Sequence, residues 1–235
     1  MTWPTAQIMQ AQAGAEHHCF TITRRIAHPA FSVSLDTKAA EALADLVPLL
    51  CCGEEAAVVG FDRLGRTVSL DLDLRRTLRK IVDDERRHDA ILRGLCAALP
   101  VSSQDRAVQH RARNFHLSLS RGGTVLHLAR IAGLDAAVCT ILSRLLRPGA
   151  AISRDDGVHA VLSHIRKDET RHVMVSRGIA LAAADRQAVR SAAAEARGAL
   201  AELLAFGADS FEGLGIDPDR LLSDIKRLPD GLLPR

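Results

Sequence analysis

Residues 81–88 read IVDDERRH and residues 165–172 read IRKDETRH, so the chain writes Ile-x-x-Asp-Glu-x-Arg-His twice. With 19 Asp, 9 Glu, 27 Arg and 10 His in 235 residues, Asp-Glu-x-Arg-His should arise about 0.004 times by chance. Two copies need a cause. A carboxylate and an imidazole three residues apart share one helix face and converge on a single point. Both are good ligands for a divalent metal. Glu85, His88, Glu169 and His172 are therefore the first candidates.

The elements that must position them are helices. Leu74, Leu78, Ile81, Glu85, His88, Leu92, Leu95 and Leu99 advance by alternating steps of four and three, which draws one face of a helix. Val158, Leu162, Ile165, Glu169, His172, Ser176 and Ile179 repeat that arrangement. Each Glu-His pair thus lies in an apolar stripe rather than on a polar side. A buried carboxylate without compensation costs several kcal/mol, so each needs a partner. A metal supplies one; buried salt bridges are the weaker alternative.

Two metals need further carboxylates. Glu54 shares a stripe with Val47, Leu50, Cys51, Val58 and Phe61, whereas Glu55 falls with Pro48, Cys52, Val59 and Asp62. Glu54 is the better inward residue, with Glu55 as the alternative. Asp135, among Leu128, Ile131, Val138, Cys139 and Leu142, is the only acidic residue between Asp105 and Asp155. The candidate ligand set is Glu54, Glu85, His88, Asp135, Glu169 and His172.

The periodicity predicts helices from about Thr37 to Arg63 (interrupted at Pro48), from Asp73 to before Pro100, across the stretch SSQDRAVQHRARNFHLSLSR, from Thr124 to Leu146, from Ser153 to Ala183, and from Asp185 to Phe206. A short helix is expected around Pro218–Arg227. Residues 1–35 read as irregular, with alternation in FTITRRI and FSVSL suggesting short strands. The fold class is all-α. A single domain over 1–235 is expected, with the metal-binding bundle in 37–180 and a C-terminal helix and tail in 185–235.

On these residues the sequence resembles the ferritin-like non-haem diiron-carboxylate proteins, whose four-helix bundles offer one carboxylate from each of two helices and Glu-x-x-His from the other two. The doubled Asp-Glu-x-Arg-His is most similar to that of the bacterial multicomponent monooxygenases; the ribonucleotide reductase small subunit is a more distant likeness. The resemblance covers roughly residues 37–180. It implies a ferritin-like four-helix bundle with additional helices, and two Fe ions or a Mn/Fe pair. It also implies that Asp168 orients His88 and Asp84 orients His172, with Arg87 and Arg171 paired to those aspartates. Such carboxylates fix the imidazole tautomer and strengthen the ligand.

The chain departs from that family in three ways. Position 135 is Asp where most members have Glu, the chain is short, and it contains no Tyr, which excludes a tyrosyl radical. His159 and His164 precede Glu169 by ten and five residues; His164 points about 140° away from it on an ideal helix. An extra ligand role is not expected of either, nor any role of His17-His18-Cys19.

The expected function is an O2-dependent oxidoreductase that hydroxylates or N-oxygenates a small organic substrate, with electrons from an external donor or reductase. A ferroxidase-like iron store and a tRNA-modifying hydroxylase are the alternatives. The net charge of +3, spread over scattered basic pairs, argues against nucleic acid. Five widely spaced Cys without Cys-x-x-Cys fit a reducing compartment. No basic-then-apolar leader and no 18-residue uninterrupted apolar run is present, so a cytoplasmic protein without membrane partners is expected, compatible with a homodimer.

Overall fold

The computed structural model describes residues 18–22, 24–67 and 72–228, and these are all-α, with no strand among the described residues. The helices are α1 (Thr37–Thr67), α2 (Leu72–Ala98), α3 (Arg106–Ser118), α4 (Thr124–Leu145), α5 (Asp156–Ala183), α6 (Arg186–Leu204), α7 (Ala208–Gly213) and α8 (Pro218–Lys226). Their starts follow local chemistry. The side chains of Asp105, Asp155, Asp185 and Asp217 accept backbone N–H groups at the first turns of α3, α5, α6 and α8. Gly122 and Gly123, with φ of 82° and 98°, take the left-handed turn between α3 and α4 that side chains disfavour.

Two apolar clusters lie at opposite ends of the bundle. One joins Leu43 and Val47 of α1, Leu92 and Leu95 of α2, Ile141 and Leu142 of α4, and Leu162 and Ile165 of α5. The other joins Val58 and Phe61 of α1, Leu78 and Ile81 of α2, Leu128 and Ile131 of α4, and Ala180 of α5. Read in chain order, α1 and α5 run from the first cluster to the second, and α2 and α4 run the opposite way. Residues 99–123, including α3, carry the chain back along the bundle between α2 and α4. The Glu-His pairs of both octets fall between the two clusters, at mid-height.

α1 packs along α2 and α4 along α5, with α6 laid across α4 and α2 meeting α5. By length and composition α4 could cross a membrane, but 61% of its apolar window is buried inside the protein. It is the central core helix.

Two expectations are corrected. α1 continues through Pro48. Proline forfeits one backbone hydrogen bond, and the fully buried Val47 and the buried Leu49 beside it keep the helix in place. The segments FTITRRI and FSVSL form no strand in their described residues; Thr23 lies outside them. Their backbone donors go to side chains instead of a ladder: Phe20 N–H to Glu55 at 2.7 Å and Ser34 N–H to Asp155 at 2.6 Å. This strap presses on α2 so closely that a Cβ at Gly94 would sit 2.3 Å from the Pro29 carbonyl oxygen.

Candidate metal centre

The two octets face each other. His88 Nε2 lies 3.3 Å from Asp168 Oδ2, and His172 Nε2 lies 3.5 Å from Asp84 Oδ2. Each aspartate therefore takes the Nε2 proton of the imidazole in the opposite octet. Arg87 pairs with Asp84, and Arg171 with both Asp84 and Asp168, the latter at 3.2 Å. With Nε2 protonated, Nδ1 is left as a bare lone pair on both rings.

Those lone pairs point at carboxylates. His88 Nδ1 stands 3.4 Å from Glu54 Oε2 and 3.3 Å from both Glu85 Oε2 and Glu169 Oε1. His172 Nδ1 stands 3.1 Å from Glu85 Oε1 and 3.5 Å from Glu169 Oε1. Glu85 and Glu169 thus lie between the two imidazoles, whose ring centres are 5.9 Å apart. Donor atoms of Glu54, Glu85, His88 and Glu169 all fall within 4.8 Å of one another, and all four residues are buried. Glu85 and His88 are each 1% exposed and His172 is 0% exposed, so water does not compensate them.

Hydrogen bonding does not compensate them either. Buried Glu85 Oε2, Glu169 Oε1, Asp135 Oδ2 and both Nδ1 atoms have no hydrogen-bond partner. Buried acceptor atoms of the types that bind Fe, Mn or Zn, with those of Glu54, Glu85, His88 and Glu169 converging and Asp135 and His172 beside them, fit a cation. The charges agree. Burial, with Glu85 and Glu169 nearby, pushes the Glu54 carboxyl well up. Burial pushes Asp135 up in the same way, beside Glu169 and Glu85. Burial would depress His172, but the negative carboxylates of Glu85 and Glu169 beside it raise it to about 10. Without a cation the cluster must hold extra protons.

Asp135 lines the same space as Glu54, Glu85 and Glu169. It is not among the four residues whose donor atoms converge within 4.8 Å. His164 is half-exposed, 3.5 Å from Asp168 on the side away from the metal-facing atoms.

Glu55, the alternative to Glu54, belongs to a different structure. It is fully buried on another side of α1, where it accepts from Arg25 at 2.8 Å, from His18 at 2.8 Å, and from Arg93. Asp89 joins the network through Arg25 at 2.9 Å and Arg93 at 2.8 Å. This corrects the expectation that His18 has no role; His17 lies outside the described residues. Sequence reasoning also passed over His116 and His127, which line a cleft beside the carboxylates. Their only signal was that each sits in a helix whose other residues already explained it. Compared with family models and with curated proteins, the sequence matches none.

Proposed function

We propose that the protein is an O2-dependent oxidoreductase built on a ferritin-like bundle, with two iron ions held by Glu54, Glu85, His88, Asp135, Glu169 and His172. The observation that carries this reading is the crossed pairing of the octets. Each aspartate fixes the histidine of the other copy, and both Nδ1 atoms converge on shared glutamates. Buried salt bridges alone would set four carboxylates, Glu54, Glu85, Asp135 and Glu169, against two imidazoles, which leaves the buried cluster short of positive charge. The helix directions support the same reading, since a down-running pair joined by one long crossover is the connectivity of ferritin-like folds.

A pair of Fe(II) ions bound there would supply electrons for reducing O2. Four carboxylates balance their charge, so the filled site is neutral overall. The chain's own residues do the rest. Asp84 and Asp168 hold the Nε2 protons, while Arg87 and Arg171 hold the aspartates. The apolar clusters above and below close the two ends of the centre and leave the cleft as its approach. Hydroxylating a substrate RH consumes O2, two electrons and two protons and yields ROH and water. The electrons come from an external donor, because the chain carries no flavin or iron–sulfur motif. A reducing, cytoplasmic setting suits that supply and the five free thiols.

An organic substrate is favoured over iron storage by the mainly apolar cleft that opens onto the carboxylates, whose enclosed volume is about 90 Å³. The test is single-turnover O2 uptake by the anaerobically reduced, iron-loaded protein, followed by electron paramagnetic resonance. O2 should be consumed without a long-lived organic radical, because the described core contains no Tyr or Trp to hold one. A persistent organic radical in good yield would overturn the oxygenase reading and indicate a radical initiator. Iron accumulating as a mineral would indicate storage.

A further inference from the structure

α1 and α4 are not among the helix pairs that pack closely. The space between them is the cleft, about 840 Å³ including its mouth, closed over by α3 and α6. Glu54, Glu85, Asp135 and Glu169 form its floor. Its walls are apolar, as at Leu50, Ile131, Leu134, Val138, Leu200 and Leu203. Apart from the floor, His116 and His127 are the only polar side chains lining it among the described residues.

Both histidines face glycines on α1. A Cβ at Gly53 would lie 3.7 Å from His116 Cε1, and one at Gly60 would lie 3.6 Å from His127 Cε1. Seven residues of helix separate those glycines, so the two imidazoles are spaced by roughly 10 Å along the wall. Buried His116 Nδ1 has no hydrogen-bond partner, although it is a strong donor or acceptor. Burial lowers both His116 and His127 to about 4, so both are neutral at physiological pH. Among the described residues, no Lys or Arg lines the cleft to meet an anion. Asp135, 6% exposed, adds a second unsatisfied oxygen aimed into the same space.

We propose that this cleft is the substrate site, and that it takes an uncharged, mainly apolar organic molecule whose one hydroxyl or carbonyl group is hydrogen-bonded by His116. The proposal rests on the oxidoreductase reading for its biological meaning, but binding is measurable without turnover. A neutral imidazole offers either a donor or an acceptor and leaves a carboxylate uncompensated, and once Fe(II) balances the acids of the floor an ammonium finds no anion either. The apolar walls take the hydrocarbon. A concave, mostly apolar lining with one or two polar fixtures is the build of a small-molecule site.

The probe is 1-octanol, titrated calorimetrically into the protein as isolated and after anaerobic Fe(II) loading, beside octanoate and octylammonium. Octanol should bind at least tenfold tighter than either charged analogue. His116→Phe, which keeps the ring volume, should weaken octanol about tenfold and leave cyclohexane binding unchanged. Gly53→Leu should abolish binding of both by filling the cleft, with circular dichroism verifying that each variant folds. Octanoate binding as tightly as octanol, equal octanol affinity in His116→Phe, or no octanol binding to the wild type would each overturn the proposal. O2 uptake that persists while octanol fails to bind sinks the cleft alone. Octanol binding with no O2 uptake sinks the oxidative reading and leaves the cleft standing.

Discussion

Asp168 matters through an atom it never presents to a metal. Its carboxylate accepts the Nε2 proton of His88 at 3.3 Å, and that hydrogen bond, with Arg171 beside it, lowers Asp168 to about 2. Asp168→Asn can offer an amide donor to Nε2, which favours the tautomer with Nδ1 protonated and blocked. Iron affinity should fall about 10–100-fold while helicity by circular dichroism stays intact. Unchanged affinity would remove the crossed pairing from the account. The neighbours Glu54 and Glu55 separate the two kinds of buried acid. Glu54→Ala should cost metal binding yet leave the metal-free protein as stable as the wild type, because it removes an acid crowded by Glu85 and Glu169. Glu55→Ala should lower metal-free stability by on the order of 3 kcal/mol, seen as an earlier urea midpoint, since Arg25 and the largely buried Arg93 are then left with Asp89 as their shared anion. The reverse order would mean the two roles are exchanged. The stripe on α1 made Glu54 legible in the sequence. The network of Glu55 was not legible, because its partners Arg25 and Arg93 come from separate segments and carry no periodic signal.

At the scale of elements, the long helices were readable from their apolar periodicity, with Asp36 and Asp155 capping the starts of α1 and α5. Alternation in the strap was misleading. Phe31, Val33 and Leu35 do turn inward against the core, but they cover helices, so no strand partner exists. Pro48 misled in the opposite direction, since burial on both sides held α1 together. The contact of α6 with α4 depends on one missing side chain. A Cβ at Gly133 would lie 2.6 Å from the Ala193 carbonyl oxygen and 2.8 Å from its Cα, and backbone cannot step aside cheaply. Gly133→Ala should therefore push α6 off α4 and destabilise the protein by about 1–3 kcal/mol despite its better helix propensity. Thermal unfolding at an unchanged or raised midpoint would show that α6 is not seated as described.

For the whole molecule, the arrangement of helices decides what the sequence could convey. The four-helix core and its buried acids follow from patterns within each helix. The cleft does not, because it exists where α1 and α4 stand apart and α3 and α6 close over them. His116 and His127 look like ordinary helix residues until those glycine-lined gaps are assembled. The same assembly brings octets 84 residues apart into one centre, and this is the account's central claim. Its most direct test is the iron content of the desalted protein after anaerobic Fe(II) loading, measured per chain beside His88→Ala and His172→Ala. The wild type should retain two iron ions per chain, and each variant should lose at least one. Wild-type protein that retains no iron, or variants that retain the full wild-type amount, would contradict it.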